Sequence, residues 1–453
     1  MSRYYSKSKL LRRGRAMWGS YQVWRMRLVF WLGALAIGAV SVGFARLADV
    51  AQHLFSTART AGQWTFLLPL VITPLGFVLC AWLAMQFFPN AQGSGIPQAI
   101  AARHLHDRED RARLLNLKLA VGKIVLTITG LLSGASIGRE GPTVQVGASI
   151  MLQAARWGGV EQARGLILAG SAAGIAAAFN TPLAGIVFAI EEMSRTYESR
   201  TNGAVLTAVI LAGIAALGLN GNYTYFGGAP SAALHASDWW MVVICGIGGG
   251  LLGAIFSTAA LRGARRIKRW AQPDIRRRML MLAGASGLAI ALLGILSSGA
   301  TFGTGYEQAR AAVEGTAPSP FFFIEKLAAT FISMMSGIPG GIFAPSLSVG
   351  AGFGSTVATL LGASISLGAL VGMAGYFAGV VQAPMTAFVI ILEMSDSRES
   401  VIALMAASML GYIAARFISS EPLYHGLSRA FIADSIRASR AHQRADAERP
   451  AAP

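Results

Sequence analysis

The chain has 453 residues, of which 54% are hydrophobic and only 13% charged, with a net charge of +17. Apolar runs near the ~20 residues needed to cross a bilayer recur from Leu28 to Phe417, which excludes an ordinary water-soluble domain. The positive charge clusters beside those runs, as expected of cytoplasmic loops and ends, and this argues against a nucleic-acid surface.

Residues 1–27 hold eight Lys or Arg and no acid, and read as a basic cytoplasmic segment. Leu28 opens a long span and no small-residue cleavage site stands out, so no removable signal peptide is expected. Apolar runs at 28–45 and 65–88 precede Gly93-Ser94-Gly95-Ile96-Pro97. The mixed-charge stretch 103–118 reads as a solvated cytoplasmic loop. The run 119–137 then leads into Gly138-Arg139-Glu140-Gly141-Pro142. Here a carboxylate opens a helix in apolar surroundings, where an ionisable group is costly and points to function. Pro142 suits the first helical turn. The N–H groups around Glu140 and Gly141 are left pointing outward, and such a helix end attracts anions. Glu140 can fill that site itself or leave it to a free anion; the alternative is a structural pairing with Arg139.

Further along, 143–154 and 345–363 are broken by Gly or Pro and read as shorter, tilted or re-entrant helices, tolerated where they line a cavity. The runs 239–261, 279–298 and 399–417 read as full spans. Between the first two lies a basic loop, 262–278, with Arg262, Arg265, Arg266, Lys268, Arg269, Arg276, Arg277 and Arg278. The 53 glycines favour close helix approach. Cys80 and Cys245 fall in apolar runs and read as buried free thiols. The six histidines show no metal-ligand spacing, so neither metal nor cofactor is expected. The fold class is therefore an all-α polytopic membrane protein.

An internal repeat organises the chain. Pro142-Thr143-Val144-Gln145-Val146-Gly147-Ala148 parallels Pro345-Ser346-Leu347-Ser348-Val349-Gly350-Ala351, and the helix from Pro182 parallels that from Pro384. Pro142/Pro345, Gly147/Gly350, Pro182/Pro384 and Glu192/Glu393 lie 203, 203, 202 and 201 residues apart. Two homologous halves follow, at 28–230 and 236–430, with a basic tail at 431–453. If both ends and the 262–278 loop are cytoplasmic, the boundary near Asn220–Asp238 is extracytoplasmic and the second half is inverted. Inverted repeats place a substrate site near the midplane, where the N-termini of broken helices converge. Three such starts are visible, at 93–97, 138–142 and 341–345. None brings a Lys or Arg to the anion itself, which would hold it too tightly for passage.

These residues resemble the chloride channel/transporter family, CLC. Gly-Ser-Gly-Ile-Pro at 93–97, Gly-Arg-Glu-Gly-Pro at 138–142 and Gly-Ile-Phe-Ala-Pro at 341–345 look like its three anion-site signatures, in its order. The likeness runs on through Phe179 to Gly185 and Glu421-Pro422-Leu423-Tyr424, so it covers about residues 28 to 430. The resemblance implies that the Ser94 and Tyr424 hydroxyls and the Ile342 and Phe343 N–H groups contact a central anion. Glu140 matches the gating glutamate and Glu192 the internal proton-transfer glutamate of the exchangers. Lys123 matches a buried lysine. Also implied are a homodimer with one pathway per subunit and, from Ser94, preference for chloride over nitrate. Gln98 stands where relatives often have Glu, a change expected at the cytoplasmic entrance and not at the anion ligands. After Tyr424 too few residues remain for the paired regulatory (CBS) domains of many eukaryotic relatives, so the prokaryotic type is expected.

Simple physics agrees with those assignments. Burial favours the neutral form of Glu140 and positive helix ends favour the charged form; an arriving anion adds like charge and tips it towards protonation. Anion occupancy and proton uptake are thereby linked. Glu192 lies ten residues after Pro182, about 15 Å along a helix, near a membrane edge. Glu191 reads as an interfacial, solvated carboxylate and Glu393 as a structural or interfacial residue. Glu325 and Lys326 can simply pair, and Tyr424, without the resemblance, reads as an interfacial belt tyrosine.

The expected function is secondary transport of chloride in exchange for protons, in a cytoplasmic membrane with both termini cytoplasmic. The alternative is a passive voltage- or pH-gated chloride channel of the same fold. An intramembrane enzyme using Glu140 with Glu191 or Glu192 as acid and base lacks any nucleophile, metal ligand or cofactor loop beside them.

Overall fold

A computed structural model describes residues 21–447 except 160–162, 195–198, 222, 229–234 and 237. Most of the basic segment 1–27 and the last residues of the tail lie outside the described residues. Helices make up nearly all of the structure, and no β-strand forms among the described residues. Among the described residues seven helices are long and apolar enough to cross a membrane, and the chain is a multi-pass membrane protein.

The first half opens with α1 (Tyr21–Thr60), α2 (Pro69–Phe87), α3 (Ile96–His104), α4 (Arg108–Leu114) and α5 (Leu117–Leu132). It continues with α6 (Glu140–Gly158), α7 (Ala163–Phe179), α8 (Pro182–Phe188), a π-helical turn Ala189–Ser194 and α9 (Ser199–Asn220). The second half runs α10 (Asp238–Ala271), α11 (Ile275–Leu296), α12 (Tyr306–Val313), α13 (Phe322–Met335) and α14 (Phe343–Leu361). Then come α15 (Ile365–Val381), α16 (Pro384–Ser395), α17 (Val401–Ile418) and α18 (Leu423–Ala447). Helix α1, with 40 residues, is roughly 60 Å long. It therefore leans or projects well beyond a ~30 Å hydrocarbon layer, which the run 28–45 alone does not convey. The span at Gly203–Asn220 is absent from the apolar runs read in the sequence.

The halves are built alike. Helices α6 and α14 have 19 residues each and both end at a left-handed glycine, Gly159 (φ 71°) and Gly362 (φ 64°). Helices α7 and α15 have 17 residues each and end beside Asn180 and Gln382, both at positive φ. The α6–α7 and α14–α15 packings are equally close. A Cβ on Gly174 would stand 2.7 Å from Thr143 O, and one on Gly350 2.7 Å from Gly372 O. Neither contact tolerates a larger residue without moving backbone.

Two expectations about surface segments change. The stretch 103–118 is not simply a solvated loop: Leu114 and Leu115 are buried and fold α4 onto the core, with Asp110 half-paired to Arg113 at 3.6 Å. The basic 262–278 region is largely the end of α10 and the start of α11, which Asp274 caps by accepting from Arg277 N. Cys80 and Cys245 are buried free thiols.

Candidate functional site: three helix starts around two glutamates

Backbone hydrogen bonds tie the three glycine-rich starts together. Gly138 N donates to Gly341 O (2.6 Å) and Gly341 N to Gly138 O (2.7 Å), while Gly93 N donates to Ile338 O (3.2 Å) and Gly340 N to Gly93 O (3.1 Å). The first intrahelical bonds run from Thr143 N to Arg139 O and from Ser346 N to Ile342 O. Pro142 and Pro345 have no N–H, so the N–H groups of Glu140 and Gly141 in α6, and of Phe343 and Ala344 in α14, have no acceptor in their own helix. Two positive helix ends thus open onto one place.

Glycine is required where the starts meet. A Cβ on Gly141 would stand 2.9 Å from Ser94 O and would overlap Ser94 Oγ; one on Gly341 would stand 3.1 Å from both Gly138 O and Gly141 N. A Cβ on Gly138 would overlap Glu140 Oε2. The Glu140 side chain therefore curls back over its own helix start, with the N–H groups of Glu140 and Ala344 nearest its carboxylate. The Arg139 guanidinium turns away, donating to Ala45 O and Asp49. The structural Arg139–Glu140 pair is thus not the arrangement found.

Ser94 Oγ, both Glu140 carboxylate oxygens and Tyr424 Oη are buried, and none makes a well-formed hydrogen bond to the protein. Tyr424 opens α18, which packs on α3 and so brings the phenol opposite Ser94 and within electrostatic reach of both Glu140 and Glu192. Its complete burial rules out the belt-tyrosine reading. Phe343 packs between Phe377 (4.3 Å between centroids) and Phe179 (5.4 Å) and walls the site with aromatic faces.

The loop carrying Ser94 is held from behind. Lys123 is buried and donates to Ala91 O and Gly93 O, both at 2.7 Å. Gln98 accepts from Gly95 N (3.1 Å) and donates to Asn90 O (3.2 Å) and Gln92 O (2.6 Å). Gln98 therefore shapes the anion loop itself; its effect is not confined to an entrance. Lys326 does not pair with Glu325: it is buried and donates to Thr301 O (2.9 Å) and Gly303 O (2.8 Å). Lying 203 residues after Lys123, it is that lysine's counterpart.

Glu192 is buried within the π-turn Ala189–Ser194, so the straight helix expected from Pro182 is widened just before it; such turns often mark functional positions. Arg103 of α3 anchors the turn, donating to Met193 O (2.8 Å) and Ser194 Oγ (2.9 Å). Glu191 is not a solvated interfacial group. Its carboxylate accepts from Met385 N (3.1 Å) and Thr386 N (2.6 Å), capping α16. Glu393 returns the favour at α8, accepting from Leu183 N (3.1 Å) and Ala184 N (2.6 Å). The reciprocal caps make Glu191 the repeat partner of Glu393; Glu192, one residue out of step, has Met394 opposite it.

On the other side of Glu140 lies a cavity of about 580 Å³ lined among others by Asp49, Arg139, Tyr223, Tyr225 and Tyr306. Tyr225 is buried against Phe179 and Tyr306, at 5.5 and 4.9 Å between centroids. Sequence reasoning missed Asp49, Tyr225 and His425, since each acquires its neighbours from segments far apart in the chain.

The comparisons with known proteins bear on this geometry. The family model described as "Voltage gated chloride channel" matches residues 76–416. The chain belongs to this family, the CLC proteins. An H(+)/Cl(-) exchange transporter, ClcA, of Salmonella arizonae is 32% identical over 88% of this chain and 83% of its own length. The ClcA of Salmonella typhimurium is 31% identical over the same shares. Among solved structures, a slow cyanobacterial Cl-/H+ antiporter matches with a TM-score of 0.78 at 24% identity, over 90% of this chain and 98% of the other. A CLC-type fluoride/proton antiporter gives 0.75 at 24% identity, over 89% and 99%. The CLC fold is thus established for the whole described assembly of broken helices.

Proposed function

We propose that this CLC protein exchanges chloride for protons. The observation that carries the reading is the Glu140 carboxylate lying against the open helix starts of α6 and α14, where it competes with an anion for the same N–H groups. When chloride takes those groups, the displaced carboxylate meets a like charge and binds a proton; when the proton leaves, the carboxylate returns and expels the anion. Ser94, Gly141, Ile342, Phe343 and Tyr424 hold the anion between steps. Glu192 passes protons on the opposite side. The exchanger names of the curated relatives favour this over a passive channel and support a transporter reading.

The assignment extends to a bacterial cytoplasmic membrane, with both termini and the basic end of α10 on the cytoplasmic side, as the placement of Arg and Lys supports. The halves 28–230 and 236–430 then enter from opposite sides, flanked by the basic segments 1–27 and 431–453. A homodimer with one pathway per subunit completes the reading and rests on the family resemblance. The direct test is purified protein in liposomes with a chloride gradient and a pH electrode outside. Uphill proton movement, with a reversal potential away from the chloride equilibrium value, is expected. Chloride flux with no proton movement would make the protein a channel.

A further inference from the structure

His425 follows Tyr424 in α18 and reaches the turn that carries Glu192. Its Nε2 lies 2.8 Å from Glu192 O and 3.9 Å from Glu192 Oε1. The ring side chain is 19% exposed and that of Glu192 1%, so the imidazole stands between solvent and a buried carboxylate. We propose that His425 relays protons between water on that side and Glu192, and so sets the pH range over which the exchanger is supplied. The inference rests on the exchange reading above.

The contact fixes the tautomer. A carbonyl can only accept, so Nε2 carries the proton of the neutral ring and Nδ1 keeps its lone pair. A proton from water adds at Nδ1. The Nε2–H bond then breaks as an O–H bond forms at Glu192 Oε1, after a side-chain rotation that shortens the 3.9 Å gap. The ring is left neutral with its proton on Nδ1, and the carboxylate is neutral. A second proton from water then binds Nε2 and the Nδ1 proton returns to water, which resets the ring; over the cycle water gives up one proton and Glu192 gains one. Imidazole suits the task because it has two ring nitrogens and can accept a proton at one while giving one up at the other.

The charged neighbours among the described residues are mostly committed to each other. From α3, Arg103 holds Met193 O and Ser194 Oγ, and His104 Nδ1 lies 2.8 Å from Ile100 O. Glu421 pairs with Arg429 (2.9 Å) and lies 3.8 Å from Arg265 of α10, while Lys268 of α10 pairs with Asp434. Helix α15, which also touches α18, carries no charged residue and only Tyr376 as a titratable one. Glu191 is spent on capping α16. His425 is thus a titratable side chain placed, by its contacts at 2.8 and 3.9 Å, to serve Glu192.

The test compares wild type, His425→Gln and His425→Ala in liposomes, recording chloride-driven proton flux between pH 5 and 8 alongside chloride binding by calorimetry. Glutamine keeps a donor for Glu192 O but cannot carry a proton. The expected result is a fall in proton flux of at least about tenfold in both variants, loss of the histidine-dependent step in the pH profile, and unchanged chloride affinity. Free imidazole should restore His425→Ala several-fold, which a merely structural role would not allow. Wild-type proton flux in His425→Gln across the range, or no rescue by imidazole, would overturn the relay alone. A drop in chloride affinity matching the drop in proton flux would also overturn it, making His425 a support for Tyr424. Absence of proton movement in the wild type would overturn the exchange reading together with it.

Discussion

The anion-site hydroxyls offer the sharpest test of the geometry, through Ser94→Ala and Tyr424→Phe. Both oxygens are buried, and neither makes a well-formed hydrogen bond to the protein. Each deletion removes no more than the contact between the two hydroxyls, so most of the usual cost of breaking a buried hydrogen bond does not arise. Thermal stability should stay near wild type. Anion affinity should not, because a hydrogen bond to a charged group contributes about 1.5–3 kcal/mol. At 1.4 kcal/mol per decade, each variant should lose about 10- to 150-fold in chloride affinity. Tyr424→Phe keeps the ring and its packing, so its loss isolates the hydroxyl. Calorimetric titration of chloride into detergent-solubilised protein, paired with a melting curve for each variant, reads both quantities. The double variant should lose less than the sum, because the two side chains face each other and share one ligand. Unchanged affinity in Tyr424→Phe would remove the phenol from the site; a large fall in melting temperature would show that the hydroxyl supports the fold instead.

Glu140→Gln should abolish proton coupling and retain chloride flux, since an amide stays in the neutral state; continued uphill proton movement in liposomes would sink its gating role. Glu192→Gln should block proton movement and leave chloride binding intact, and unaltered coupling would move the inner role elsewhere. Glu393→Ala removes the acceptor for Leu183 N and Ala184 N and should cost about 1–2 kcal/mol, the scale of a lost helix cap. The melting temperature would fall with little change in chloride affinity, and an unmoved melting curve would refute the capping role.

Much of the site was legible in the sequence because its chemistry is local. A helix start is announced by glycine and proline within five residues, and Glu140, Gly141, Ile342 and Phe343 all sit at such starts. Ser94 follows the same rule. Tyr424 has no such signal: a tyrosine after Pro-Leu becomes an anion-site residue only because α18 folds onto α3, and the family resemblance placed it. Counting offsets misled at the acidic pair. Glu192 and Glu393 look equivalent at 201 residues, but the reciprocal caps assign Glu191 to Glu393. The 202-residue offset of Pro182 and Pro384 already pairs Glu191 with Glu393, each nine residues after its proline, so the error lay in matching Glu192 across a one-residue slip. The long helix α1 was read short because its basic and polar residues interrupt the apolar run without interrupting the helix.

The repeat also explains why only one side of the structure presents an open Ser94-type loop. Gly303-Thr304-Gly305 stands before α12 as Gly93-Ser94-Gly95 stands before α3, with φ of 64° and 77° against 69° and 103°. Lys326 holds its carbonyls as Lys123 holds those of the first loop. The scaffolds match, yet the outcomes differ. In the second half Gln52 of α1 accepts from Thr304 N (3.0 Å), and Thr304 Oγ1 accepts from Tyr306 N (3.3 Å). Those donors are committed within the protein, and the loop's Gly305 lines the cavity beside Arg139. In the first half Ser94 Oγ makes no well-formed bond within its own loop and turns to Gly141 and Tyr424. The two loops thus share a scaffold and differ in whether their polar groups are used within the protein. On the proposed reading, that asymmetry leaves Glu140, between the halves, as the carboxylate that competes for the remaining open starts.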